Sequence, residues 1–189
     1  SEADTDSVSI GYSNITRGQN NVSIGSRNST STNTGQAVVV GYNCQVSSDV
    51  TDSVSVGANV NTSGSKSINI GSNVTGAANA VSIGTDNSNL GNGSVAIGLG
   101  VVTFDSARNS VVIGKDSKSK NRNSIAIGSN CETRSSYAVA IGTDSLTSGG
   151  EAVAIGDQSE ADEARQILAK EVSKLEEKAE SEKDRIRTN

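Results

Sequence analysis

A five-residue motif that ends in glycine recurs eleven times along this chain of 189 residues. Copies include SVSIG at 7–11, SVAIG at 94–98 and AVAIG at 152–156, and successive terminal glycines lie 13 to 16 residues apart, most often 14. The eleven repeat glycines are Gly11, Gly25, Gly41, Gly57, Gly71, Gly84, Gly98, Gly114, Gly128, Gly142 and Gly156. Self-similarity at a short, nearly fixed period is typical of proteins whose repeats stack on one another. The chain is therefore expected to be a stack of about eleven coils.

Within each motif, large and small side chains alternate, and this period of two indicates a β-strand. The large positions hold only Val or Ile, and the intervening positions are mostly Ser or Ala. We expect the Val and Ile side chains to fill the interior of the coils, and the small face to point outward and line the axis of an assembly. The opposite assignment, with Val and Ile on the axis, stays open. The predicted repeat core includes Val8, Ile10, Val22, Ile24, Val95, Ile97, Ile125, Ile127, Val139, Ile141, Val153 and Ile155.

The glycine after each strand indicates a forced backbone, either a positive φ or a close approach of the next coil. A second, weaker strand is expected to follow, with interior positions three and five residues after the glycine. Those positions hold Cys44 and Val46 in one coil and Val101 and Thr103 in another. Two short strands and two turns per coil, stacked at about 4.8 Å, predict an all-β parallel β-roll about 50 Å long.

The composition of the chain argues against several classes of function. The chain has no His, so the commonest general base is absent, and we expect neither an enzyme nor a cofactor. The calcium-binding GGxGxDxUx repeat is absent, so no metal is assigned. A net charge of −5 disfavours nucleic acid as a partner, and no apolar run approaches the ~20 residues of a membrane span. Cys44 and Cys131 lie six coils apart and are interpreted as buried small hydrophobes.

The composition changes after Asp157, where Glu, Lys, Ala and Arg replace Gly and Val. We therefore divide the chain into a β-roll head at 1–157 and an α-helical coiled-coil stalk at 158–189. A 4,3 spacing of apolar residues supports the stalk, and oligomerisation is favoured over a lone helix because isolated helices of this length are marginal in water. The predicted coiled-coil seam is Leu168, Val172, Leu175, Ala179 and Ile186.

One turn region is basic. The segment GKDSKSKNR carries Lys115, Lys118, Lys120 and Arg122. These cations are a candidate ligand patch that could meet anionic glycans or acidic surfaces. The alternative is that they are solvated turn residues that keep the roll soluble.

The SVAIG-type motif at 14-residue spacing resembles the YadA-like head domain of trimeric autotransporter adhesins, and the resemblance covers residues 7–156. It implies a left-handed parallel β-roll, three of which lie side by side as a homotrimer above a coiled-coil stalk. Such heads project from bacterial surfaces and bind host matrix proteins or each other. Similar repeats also occur in bacteriophage tail fibres.

The expected function is that of a non-enzymatic trimeric fibre or adhesin head that mediates attachment. Its ligand would be a host or cell-surface protein or glycan, without nucleic acid and without direct membrane contact by this segment. The expected location is the bacterial cell surface, with outer-membrane anchoring through a segment outside this sequence. The alternatives are a segment of a phage tail fibre, which would place the chain in a virion, and a purely structural spacer.

Overall fold

The computed structural model of the chain describes residues 2–4, 6–162, 178, 180 and 183. The predicted coiled-coil seam at Leu168, Val172, Leu175, Ala179 and Ile186 lies outside the described residues. Between residues 2 and 162 the described regular secondary structure consists of strands of two lengths that alternate along the sequence.

The long strands contain the repeated motif. Their alternation of a large outer and a small inner side chain, ending in glycine, recurs in every coil. They are Val8–Tyr12 (β2), Val22–Ser26 (β4), Val38–Tyr42 (β6), Val54–Ala58 (β8), Ile68–Ser72 (β10), Val81–Thr85 (β12), Val95–Leu99 (β14), Val111–Lys115 (β16), Ile125–Ser129 (β18), Val139–Thr143 (β20) and Val153–Ile155 (β22).

The short strands alternate with them and have two residues each. They are Glu2–Ala3 (β1), Ile15–Thr16 (β3), Ser29–Thr30 (β5), Gln45–Val46 (β7), Asn61–Thr62 (β9), Thr75–Gly76 (β11), Ser88–Asn89 (β13), Val102–Thr103 (β15), Lys118–Ser119 (β17), Glu132–Thr133 (β19), Leu146–Thr147 (β21) and Glu160–Ala161 (β23). The last of them lies beyond Asp157, so the described roll continues to Ala161.

The strands form two parallel sheets. One has eleven strands in the order β2-β4-…-β22, and the other has twelve in the order β1-β3-…-β23. Each motif pairs with the same motif of the next coil, so that Gly98 lies beside Gly114 and Ile97 beside Ile113. The predicted all-β parallel roll of about eleven coils is therefore confirmed. Ten intervals of about 4.8 Å give the eleven-stranded sheet a length of about 48 Å.

The interior between the two sheets is narrow. In a typical coil it takes four small or medium-sized side chains: the first and the middle residue of the motif, and the residues three and five after the glycine. In the eighth coil these are Ser110, Val112, Ser117 and Ser119, all buried. The predicted interior positions of the second strand are thus confirmed. Hydroxyl contacts such as Ser119 to Ser124, at 2.6 Å, join the two sheets across this interior.

The predicted direction of the long-strand side chains is wrong. The middle residues Ser23, Ala96 and Ala126 are buried, whereas none of the Val and Ile residues on either side of a middle position is buried. The interior is already filled by the middle residues of the motifs and by the buried positions of the short strands. The correction applies to Val8, Ile10, Val22, Ile24, Val95, Ile97, Ile125, Ile127, Val139, Ile141, Val153 and Ile155, which lie on the outside of the roll.

The glycine at the end of each of the first ten motifs has both properties that the sequence predicts. Gly98 has φ +142°, a region that side chains rarely tolerate, and a Cβ added there would lie 1.7 Å from the carbonyl oxygen of Gly114 in the next coil. The same approach repeats from Gly114 to Gly128 at 1.8 Å. The glycine column therefore lets the coils stack at strand spacing.

Each coil also turns at two left-handed positions, one two residues after the motif glycine and one two residues before the long strand. In the ninth coil, Asn130 has φ 54°, and Asn123, at the turn that leads into this coil, has φ 55°. Asn and Asp are frequent at these positions because their short polar side chains make the left-handed conformation less costly. Along one turn, Asn43, Asn59 and Asn73 stack in a ladder of side-chain hydrogen bonds at 2.8 and 3.1 Å.

Candidate interaction surfaces

The outside of the eleven-stranded sheet is a continuous apolar face, which we call the Val/Ile face. It consists of the two large positions of every motif, from Val8 and Ile10 in the first coil to Val153 and Ile155 in the last. The side chains form two columns, one for each large position of the motif. The columns are two residues, or about 7 Å, apart, and each is about 48 Å long. With side-chain width added, the face covers roughly 600 Å², at the upper end of the largest apolar patches on ordinary monomers.

This face is partly exposed along its whole length, and residues in its middle such as Ile97 are more covered than those at its ends. Ile70 in the middle of the sheet is 36% exposed, and Ile155 at its end is 66% exposed. All 22 of its side chains are Val or Ile, with no polar residue between them in either column. A surface of this kind is a candidate contact surface for another macromolecule.

The twelve-stranded sheet has a different outer surface. Its outward positions lie four and six residues after the motif glycine, and in several coils they hold small polar residues such as Ser29, Ser31 and Asn61. The surface changes character at β15, β17 and β19. There the outward side chains include Phe104, Lys118, Lys120 and Glu132. Because the two sheets enclose the interior between them, this surface lies on the opposite wall from the Val/Ile face.

The structure separates the four cations of the predicted ligand patch. Lys118 and Lys120 lie on the outside of the twelve-stranded sheet; Lys118 is in β17 and Lys120 directly follows it. Arg122 lies at the turn that leads into β18, exposed. Lys115 ends the long strand β16 at the other turn, where its Nζ lies 4.0 Å from the Asp116 carboxylate. The patch therefore keeps Lys118, Lys120 and Arg122, while Lys115 lies at the other edge of the coil.

Coil stacking adds two cations that sequence proximity did not reveal. Arg134 follows β19 as Lys120 follows β17, so the two lie on neighbouring coils of one column. Arg108 lies one coil before Arg122 at the same turn, because Val111 pairs with Ile125. Arg134 lies 14 residues after Lys120, and Arg108 lies 14 residues before Arg122, so the period of the repeat could have predicted both positions. We call Arg108, Lys118, Lys120, Arg122 and Arg134 the cationic patch.

A single carboxylate, Glu132, lies within this patch. It accepts hydrogen bonds from the Arg134 guanidinium at 2.8 Å and forms an ion pair with Lys120 at 2.6 Å. The Arg134 hydrogen bond, followed by the interaction with Lys120, lowers the pKa of Glu132 to about 2 against the opposing effect of partial burial. Lys118 pairs with Glu132 in the strand register. The glutamate thus balances one charge in a group of three cations.

The remaining cations of the patch have other surroundings. The Arg122 guanidinium lies 5.9 Å from the centroid of the exposed Tyr137 ring, within cation–π range. Arg108 and Lys118 are exposed and make no ion pair within the described part of the chain. The patch therefore presents cations that an external anion can reach.

Other candidate chemistry is sparse in residues 2–4 and 6–162. Cys44 and Cys131 are buried free thiols, and burial raises the pKa of Cys44. In this region no three acidic, cysteine or histidine side chains come together as a metal site would require. No helix among the described residues combines the length and apolarity of a bilayer span. A polar cleft of about 490 Å³ near the first coils contains Asp4, whose carboxylate accepts a bond from the Gly18 amide.

The two stacked parallel ladders define a repetitive β-solenoid. The YadA head domain repeat matches this chain twice, at residues 106–130 and 136–161. The first stretch contains β16 to β18 and the second contains β20 to β23, and the same coil recurs in register through the rest of the roll. The chain is therefore similar, over these two stretches, to the head domain repeat of the YadA family. No curated protein was found to match the chain.

Proposed function

We propose that this chain is the head, with the start of a coiled-coil stalk, of a homotrimeric fibre that mediates attachment at a bacterial surface. The Val/Ile face is the observation that carries the proposal. It is long, continuous, apolar and partly exposed, so a single roll in water leaves 22 large side chains partly hydrated.

Association of copies through this face would remove it from water. Burial of apolar area contributes about 25 cal/mol per Å², so covering roughly 600 Å² on each copy contributes on the order of 15 kcal/mol per copy before the costs of association. The regular spacing of the strands suits contact between identical rolls, because each copy presents the same columns at the same interval. Three rolls around an axis close the assembly and leave no copy with an open Val/Ile face.

This proposal replaces the predicted packing of small side chains on the axis. Ser and Ala positions such as Ser82 and Ala140 are buried inside the roll and cannot contact another copy. The Val/Ile alternative left open above is the one that the observed burial supports. We propose further that the chain beyond Ala161 continues the trimer as a stalk, with the seam at Leu168, Val172, Leu175, Ala179 and Ile186.

Trimerisation through the Val/Ile face leaves the turns and the outer surface of the twelve-stranded sheet free to contact ligands. The coils of 16 residues place their extra residues in the turns, while the long strands stay in register across all eleven coils. A constant inner contact with a variable outer surface suits an attachment head, because turn changes alter the ligand surface without disturbing assembly.

A binding screen tests the attachment function. The full chain would be coupled to beads and applied to surfaces coated with extracellular-matrix proteins or cell-envelope glycans. The proposal expects saturable binding to at least one coating, and heat-unfolded chain serves as the control. If no coating binds the native chain saturably, the chain is a structural spacer instead.

A further inference from the structure

The cationic patch stands out against the charge of the whole chain. Residues 105–134 contain six Lys and Arg and three Asp and Glu, which leaves a net charge of +3. The chain as a whole carries −5, so the remainder carries −8. Cations are therefore concentrated in two or three neighbouring coils of a molecule that is otherwise acidic. A local field of this sign attracts anions in spite of the overall charge.

The arrangement of these cations follows the axis of the roll. Lys120 and Arg134 occupy one column on neighbouring coils, and Arg108 and Arg122 occupy another. Stacked strands place successive members of a column about 4.8 Å apart. Lys118 lies beside the first column, on β17. The positive charges of the cationic patch therefore form a strip that runs along the axis of the roll, and they recur at a regular interval.

The surface of the strip is open. The residues that line the clefts near the first coils, such as Asp4 and Ser29, are not in the strip. Small ligands require a concave site that covers most of their surface, whereas an open strip suits an extended polymer that makes many separate contacts. Leu90 and Phe104 border the strip in the same column as Lys120, and both are about 40% exposed. The Phe104 ring provides a flat apolar surface for the C–H face of a sugar ring.

We infer that the cationic patch binds a linear sulfated polysaccharide, which lies along the roll and contacts Arg108, Lys118, Lys120, Arg122 and Arg134. The inference rests on the proposed attachment function and names the class of its ligand. The Val/Ile face lies on the other wall of the roll, so assembly leaves the patch accessible. A trimer presents the strip three times, and a polymer that reaches two strips gains from multivalency.

The test uses the full chain and heparin as the sulfated polysaccharide. The binding variant is Lys118→Ser with Lys120→Ser, since Ser occupies the same two columns in other coils, at Ser29 and Ser31. The matched control is Arg17→Ser with Lys66→Asn, which removes the same two charges from exposed positions elsewhere. We expect about tenfold weaker binding for the first variant, which corresponds to about 1.4 kcal/mol, and a change below about twofold for the control.

A third variant tests the role of Glu132, the carboxylate within the cationic patch. Glu132→Gln removes the carboxylate that occupies Lys120 and Arg134, so heparin should bind this variant more tightly, by about threefold. A patch that served only to keep the roll soluble would show no such gain. Binding of the unmodified chain should also weaken steeply with added salt.

The outcomes separate this inference from the proposed function. Poly-L-glutamate is tested beside heparin, and the inference requires that it bind much more weakly. Equal binding of polyglutamate, equal losses in both double variants, or no heparin binding by a chain of trimeric mass would each overturn it. The last result would leave the trimeric attachment head intact, whereas a monomeric mass in the same sample would count against the proposed function itself.

Discussion

The glycine column determines how closely the coils stack, and its removal should be costly. In Gly114→Ala, the new Cβ would lie 1.8 Å from the carbonyl oxygen of Gly128, and the residue would keep a φ of +131°. An ordinary contact at that oxygen is near 3.4 Å, so the two coils must separate locally by about 1.5 Å. The flanking bonds from Asn130 to Lys115 and from Lys118 to Cys131, at 2.9 and 2.8 Å, would then be lost or badly stretched.

The expected cost follows from these terms. Two or three backbone bonds contribute about 1 kcal/mol each, and a non-glycine residue at this φ adds about 1–2 kcal/mol. Gly114→Ala should therefore lower the free energy of unfolding by about 3–5 kcal/mol, measured by urea denaturation at one fixed protein concentration. Gly150→Ala is the matched control, because Gly150 has no atom within 4 Å of the added Cβ and no positive φ. Its effect should stay within about 0.5 kcal/mol. Equal stability of the two variants would refute the stacking argument.

Three further predictions concern the interior and the cationic patch. Ala126→Leu should lower the free energy of unfolding by about 1–3 kcal/mol because Ala126 lies in the narrow interior, whereas Ser88→Leu on the outer face should be nearly neutral; similar urea midpoints for the two would contradict this. The Glu132 carboxylate has a folded pKa of about 2, below its ordinary 4.5, so its stabilisation is present above pH 4.5 and is lost as the pH falls towards 2. Glu132→Gln should accordingly cost about 1 kcal/mol at pH 7 and almost nothing near pH 2, and a difference independent of pH would exclude this role. The Cys44 thiol, buried and with a raised pKa, should react with a thiol reagent at pH 8 only after denaturation, and rapid reaction of the folded chain would show that the interior is open.

The repeat made the course of the backbone predictable. Period-two alternation identified every long strand, and the positions three and five after each glycine, such as Val101 and Thr103, identified the interior of the short strands. These features depend on local geometry that each coil repeats. The column of glycines was predictable for the same reason, because only glycine tolerates both a positive φ and a backbone at that distance.

The direction in which the Val/Ile face points could not be predicted from the repeat in the same way. Alternation shows that Val95 and Ile97 share one face, but hydrophobicity alone does not say whether that face points into the roll or towards another molecule. The size of the interior decides it, and that size follows from the close approach of two sheets lined by residues such as Ala96 and Ser117. The abundance of Ser in the small face misled the prediction, since such residues are buried, and the Ser55 hydroxyl bonds to that of Thr62 inside the roll.

The cationic patch was predictable only in part. A cluster close in sequence revealed Lys118, Lys120 and Arg122, but stacking brings in Arg108 and Arg134 and moves Lys115 to the other edge. The left-handed turn positions were missed although the sequence carries their signal. Asn, Asp or Gly recurs two residues after most motif glycines, as at Asn43, Asp86 and Gly100.

Assembly of copies of this chain through the Val/Ile face can be tested by the mass in solution. Light scattering at several concentrations would compare the full chain with Ile97→Asn plus Ile113→Asn in the face, and with Asn61→Ser plus Thr75→Ser on the opposite wall as the control. We expect about 58 kDa, three times 19.2 kDa, for the full chain and the control, and dissociation towards 19.2 kDa for the face variant. A full chain that stays at 19.2 kDa at every concentration, or a face variant as trimeric as the control, would contradict it.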